Sequence, residues 1–137
     1  MSLVLDSSVA LAWIYSDETT AEVARVVDHV IEDSAWVPAL WRLEVANALQ
    51  MGMRRRRSDA AFRDATLADL ALWPIQLDQE TERHAWGATL RLAELHGLTF
   101  YDAAYLEVAK RRGLPLATID GALRAAAGVE QVALRGR

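Results

Sequence analysis

The chain contains no cysteine and a single lysine, Lys110, among its 137 residues. The missing thiols exclude a disulfide scaffold, thiolate zinc sites and cysteine nucleophiles. No apolar run approaches the ~20 residues that a membrane helix needs. The first residues carry no basic stretch and soon meet Asp6, so no signal peptide is expected and the chain reads as soluble and cytoplasmic. Linker composition, internal repeats and low-complexity segments are also missing, and residues 1–137 are expected to form one domain. Bases are in short supply: 15 Lys and Arg stand against 19 Asp and Glu, a net charge of −4. That balance argues against a general nucleic-acid coat protein but does not exclude a nuclease. What the chain does have is 53% apolar residues, too many for disorder. All but one of its cations are Arg, which forks onto phosphates and carboxylates as Lys cannot.

Short apolar runs alternate with helical patterns. Leu3-Val4-Leu5 reads as a strand, with Asp6-Ser7-Ser8 as the N-cap of a helix towards Tyr15. Val23, Val26, Val27, Val30 and Ile31 mark a second helix. Ala35-Trp36-Val37 is a second strand, and Pro38 suits the first turn of a helix running from about Ala39 towards Arg57. Ser58-Asp59 opens another helix before Pro74. Ile75-Gln76-Leu77 is a third strand, with Asp78 expected to cap a helix from Gln79 to His96. Gly97 stops that helix, Thr99 caps the next and Gly113 ends it. Leu114–Ile119 gives a fourth strand, Asp120 begins a short helix, and Val129–Leu134 supplies a fifth strand. The order implies an α/β sandwich with a mostly parallel sheet.

Ligands in such a sheet bind beyond the carboxyl ends of the strands. Asp6 follows the first strand and Asp120 the fourth, each equally suited to capping a helix. Glu44 lies in a helix that reads as apolar nearly all round and therefore buried, where a lone carboxylate is costly. Asn47 shares its face and is placed to support it; a local pair with Arg42 is the plain alternative. Asp102 sits in a helix's first turn, where the dipole alone favours an acid. If these four converge, they repel and raise one another's pKa unless a divalent cation intervenes. An all-oxygen donor set suits Mg²⁺ or Mn²⁺.

Val4-Leu5-Asp6-Ser7-Ser8 with Trp13, and Pro38-Ala39-Leu40 with Glu44-Val45-Ala46-Asn47-Ala48-Leu49, resemble the opening motifs of PIN-domain nucleases. Tyr101-Asp102-Ala103-Ala104-Tyr105-Leu106, and Leu114 to Asp120 with Leu123, resemble the closing ones. Length and motif order are similar to VapC-type toxins of toxin–antitoxin pairs. The resemblance implies a five-stranded parallel sheet with helices on both faces, a three-layer α/β/α sandwich. It implies Asp6, Glu44, Asp102 and Asp120 as catalytic and metal-binding acids, with Ser8 and Thr118 orienting them. It implies Mg²⁺- or Mn²⁺-dependent endoribonuclease cleavage, a small VapB-like antitoxin and a homodimer.

Other residues carry weaker signals. Arg54, Arg55, Arg56 and Arg57 suit either RNA phosphates or an acidic antitoxin segment, or form a solvated helix end. Arg111 and Arg112 read as a solvated end too. His29, His84 and His96 read as surface residues, and Trp13, Trp36 and Trp41 as core or interface. Ser7 and Ser8 lack the G-x-S-x-G setting of a hydrolase nucleophile. Two other readings stay open at this level: a metal-dependent phosphatase or phosphoacceptor domain, and a non-catalytic binding module whose acids only cap helices.

Overall fold

A computed structural model describes all residues, Met1–Arg137. Five parallel strands run in the order β3-β2-β1-β4-β5: β1 Val4–Leu5, β2 Ala35–Pro38, β3 Ile75–Asp78, β4 Leu116–Ala117 and β5 Leu134–Arg135. Val4 is in register with both Trp36 and Leu116, so β1 is the central strand. Successive strands are added on one side of β1 and then on the other. The order reverses between β1 and β4, which opens a crevice at their carboxyl ends. All three central strands are fully buried apart from Trp36, as a sheet covered on both faces requires.

The seven α-helices are α1 Ser7–Ile14, α2 Ala21–Asp33, α3 Trp41–Arg54, α4 Ala60–Leu70, α5 Leu90–His96, α6 Phe100–Arg112 and α7 Gly121–Val129. Thr20, Asp59 and Thr99 cap α2, α4 and α6 by accepting backbone N–H bonds. Gly97 and Gly113 end α5 and α6 with φ of 62° and 65°, the left-handed turn that glycine adopts without strain. The core gathers Val23, Val26 and Val30 of α2, Leu49 of α3, and Tyr105, Leu106 and Val108 of α6 around the sheet. No helix is long and apolar enough to cross a membrane.

Several expectations are corrected. Pro38 ends strand β2, paired with Asp78, and does not start a helix. α3 is not buried all round: only Trp41, Val45, Leu49 and Gly52 are, while Arg42, Asn47 and Leu43 (75% exposed) face out. Residues 79–96 do not form one helix. A 3₁₀ turn, Glu82–His84, and a π turn, Ala85–Thr89, precede α5. β4 and β5 are two residues each, shorter than their apolar runs. His96 is sunk beside Glu130 (2.7 Å), which also takes Lys110.

Asp78 is no cap. It is fully buried and accepts from Arg111 (Nη2 2.7 Å, Nη1 3.0 Å), Arg112 (Nη2 2.8 Å) and the Thr81 hydroxyl (2.9 Å). Arg111 also binds Glu107 at 2.8 Å, and the Arg112 guanidinium lies 3.5 Å over the Trp36 ring. Arg111 and Arg112 thus pin β3 to α6 and are not a solvated end. Burial raises the Asp78 pKa, but Arg111, Arg112 and Thr81 outweigh it and bring it to about 2. A carboxylate held this low stabilises the fold above its unfolded pKa of ~3.9, and that contribution is lost as pH falls through about 2. Asp78→Ala leaves Arg112 without an acid and Arg111 with only Glu107 and Glu80, and is expected to cost about 3–5 kcal/mol in urea unfolding; a loss under about 1 kcal/mol contradicts a structural role.

Candidate active site

The carboxyl ends of β1 and β4 bring Asp6 and Asp120 side by side, and α3 and α6 supply Glu44 and Asp102. Asp6 occupies the position before α1, yet its side chain makes no capping bond. Its Oδ2 instead accepts from Ser8 (2.6 Å) and Thr118 (2.8 Å). The Thr118 hydroxyl in turn accepts from the Asp120 amide at 3.1 Å, and Ser8 accepts from the Ile119 amide at 3.2 Å. The two hydroxyls therefore lock the turn after β4 onto the turn after β1. Asp120 does cap: its Oδ2 accepts from the Leu123 amide at 2.9 Å.

Glu44 is held by groups that the sequence pattern did not reveal. Tyr105 donates its hydroxyl to Oε1 at 2.6 Å and Ser7 donates at 3.4 Å. Asn47 is exposed and makes no hydrogen bond to Glu44. Tyr105 looks like one more apolar residue of α6, since it is fully buried. Only its hydroxyl, which needs a partner when buried, hints at a polar role. Burial, with Asp6 and Glu44 nearby, holds the Tyr105 phenol far above its ordinary value, so it stays a donor.

Asp6, Glu44 and Asp102 are each raised by burial and by neighbouring acids. Asp6 is 3% exposed; burial, then Glu44 and Asp120, push it up to about 6 against the pull of Ser8 and Thr118. Burial and then the Asp6 and Asp120 charges push Asp102 up to about 6. Glu44 is raised mainly by burial, with Asp102 adding to it. No arginine, lysine or histidine forms an ion pair with any of the four, although the chain's other acids take several. Each of Asp6, Glu44 and Asp120 has one oxygen engaged by the protein and the other without a protein partner. No three acids are drawn up as a finished metal cage. The donor set nonetheless fits a hard divalent cation: oxygen only, like-charged, uncompensated, with free oxygens.

Of the arginine block, Arg57 is already engaged, pairing with Asp17 (2.7 Å) and Glu18 (3.0 Å) and lying over Tyr15. Arg54, Arg55 and Arg56 are exposed and form no ion pair. Hollows of about 410 Å³ beside α2 and about 520 Å³ between α5 and α6 lie away from the acids.

The raised acids set a pH dependence of opposite sign to that of Asp78. Protonated Asp102 is favoured in the folded chain, so its contribution is full below ~3.9 and is lost as pH rises through about 6. Without divalent metal, Asp102→Asn is therefore expected to melt a few degrees higher than the parent chain at pH 7.5, about 1 kcal/mol after solvent screening. Below pH 4 the two should coincide. Equal melting at both pH values contradicts the upward shift of Asp102.

The comparisons with known proteins agree with this architecture. The family model for the PIN domain matches residues 3–129. Ribonuclease VapC3 of Pyrobaculum aerophilum is 30% identical over 126 residues, covering 88% of this chain and 90% of the relative. The crystal structure of PAE2754 from Pyrobaculum aerophilum superposes with a TM-score of 0.67 at 30% identity, covering 92% of this chain and 87% of that one. Two more distant structures share the fold. VapBC2 from Rickettsia felis, bound to a DNA fragment from their promoter, gives 0.66 at 11% identity, covering 98% and 97%. FitAcB from Neisseria gonorrhoeae gives 0.66 at 19% identity, covering 98% and 96%. Sheet order, four gathered acids and a family match that spans all of them place the chain in the PIN-domain family.

Proposed function

We propose that residues 1–137 act as one PIN-like nuclease domain, a Mg²⁺- or Mn²⁺-dependent endoribonuclease serving as the toxin of a toxin–antitoxin pair. The observation that carries this reading is the set of four carboxylates at the switch point with no cation to balance them. Similarity to a relative named a ribonuclease supports the substrate class. The VapBC2 assembly among the neighbours supports a small VapB-like antitoxin as partner. Exposed apolar side chains, Trp86 (91%) and Leu95 among them, offer a face for a homodimer.

Asp6, Glu44, Asp102 and Asp120 would hold the metal. A bound Mg²⁺ or Mn²⁺ supplies the positive charge that lets the acids ionise together and that activates water for attack on the phosphodiester. The chain's own residues set the stage. Ser8 and Thr118 hold one Asp6 oxygen and leave the other without a protein partner. Tyr105 and Ser7 do the same for Glu44. The Leu123 amide fixes Asp120. Because these donors are placed by strands and helix starts, the free oxygens are positioned in advance of any ligand.

Asp6→Asn is expected to abolish metal-dependent RNA cleavage and the growth arrest caused by expression; a mutant that stays toxic sinks the assignment. Tyr105→Phe keeps the ring in the core but removes the donor to Glu44. It is expected to weaken Mn²⁺ binding, read by calorimetry, and RNA cleavage by roughly 10–100-fold while the fold persists. Unchanged Mn²⁺ affinity in that variant would show that the Tyr105 hydroxyl does not position Glu44 for metal.

A further inference from the structure

The carboxyl edge of the sheet carries a second group that neither the acids nor the fold accounts for. Arg124 lies one turn beyond Asp120 on α7. Its Nη1 donates to the Thr118 carbonyl at 2.7 Å and to the Arg135 carbonyl at 3.1 Å, bridging the ends of β4 and β5. Thr118 is the residue whose hydroxyl holds Asp6. Arg137 reaches the next carbonyl, Ile119, through its own Nη1 at 3.5 Å. Gly136 makes that approach possible: it is buried with φ of 101°, and a Cβ there would come within 3.3 Å of the Thr118 carbonyl.

The charge state of this corner is unusual for the molecule. Arg25, Arg57, Arg63, Arg83, Arg111 and Arg112 are all paired with acids, and the other unpaired arginines are exposed. Arg124 alone is half-buried without an acid. Burial and then the Arg137 guanidinium push its pKa below the ordinary arginine value, so the fold gathers cations here against their repulsion. A partly desolvated cation without a counter-charge carries a cost. Its two carbonyl bonds use only Nη1, which fixes the guanidinium plane and leaves Nε and Nη2 without protein partners. That is a preorganised fork for an anion's paired oxygens.

We propose that Arg124, assisted by Arg137, grips a backbone phosphate of the RNA strand next along from the one presented to the four acids. The proposal rests on the ribonuclease reading above and names the residues that seat its substrate. An RNA strand entering the crevice is repelled by the acids beside it, and cations one turn away on the same edge of the sheet counter that repulsion. This assigns strand positioning to α7 and the segment after β5, in place of the Arg57 end of the α3 block, where the guanidinium is already occupied by Asp17 and Glu18.

The test uses the full chain carrying Asp6→Asn, so that bound RNA is not cut, with fluorescent single-stranded RNA titrated at several salt concentrations. Arg124→Gln and Arg137→Gln are each expected to weaken binding about tenfold and to lower the slope of log K against log salt by ~0.7. Arg124→Lys is expected to keep most of the slope while losing part of the affinity, since the charge remains and the fork does not. Arg137→Gln alters an exposed side chain and guards against misfolding of the Arg124 variants. If Arg124→Gln lowers the melting temperature but neither variant changes the slope, Arg124 is a structural tie and the proposal fails. If the variants lose affinity for polyglutamate but not for RNA, the arginines serve an acidic protein partner and the proposal fails. If the Asp6→Asn chain with both arginines intact binds no RNA, the ribonuclease reading itself fails, and this inference with it.

Discussion

Asp6 is a carboxylate placed where a carboxylate is least welcome, at the end of the central strand, almost fully buried and beside other acids. Ser8 and Thr118 hold it there, and through their hydroxyls they accept the amides of Ile119 and Asp120. Removing either hydroxyl would loosen two things at once, the orientation of Asp6 and the seating of the turn that carries Asp120. The site is thus not laid on top of a finished fold. The bonds that shape the acid cluster are among those that join the turn after β1 to the turn after β4.

The molecule deals with buried acids in two opposite ways. Asp78 is surrounded by two guanidiniums and a hydroxyl, and its charge is fully answered from within. The four acids of the crevice receive hydroxyls and amides but no cation. The chain has enough arginines to have answered them, yet none forms an ion pair with them, and Arg124 stands a turn beyond Asp120 on α7, bound to backbone carbonyls instead. Charge is withheld from the crevice and concentrated at its rim. A protein with a net charge of −4 can therefore present a surface on which attraction and repulsion of a polyanion are separated by a few residues.

The fold class, the strand order along the chain and the glycine and threonine helix boundaries were legible in the sequence, because each rests on a local rule. That Asp6 and Asp120 lie together was legible from their strand-end positions, and Glu44 and Asp102 joined them only through motif resemblance. What stayed hidden depends on long-range partners. Asp6, Asp78 and Asp120 all follow short apolar runs, and local sequence cannot separate them. One is held by hydroxyls, one is neutralised by arginines and one caps a helix. Asn47 lies on the same helix as Glu44 within reach by spacing, yet Tyr105, 61 residues on, is the actual partner. Pro38 fits a helix start as well as a strand end, and only its register with Asp78 decides between them. Arg111 and Arg112 look like a solvated terminus until β3 is laid against α6.

The bond between Thr118 and Asp6 spans 112 residues of chain. Closing a loop of that length costs conformational entropy that only the completed β1–β4 pairing returns. During synthesis the chain emerges from its N-terminal end, and Asp6, Glu44 and Asp102 are all made before the hydroxyl that positions the first of them. A nascent chain that has not yet released β4 and α7 holds three of the acids without the frame that sets them in place. The acid crevice therefore waits on a residue made long after three of its four carboxylates, and takes its shape only once β4 has joined β1.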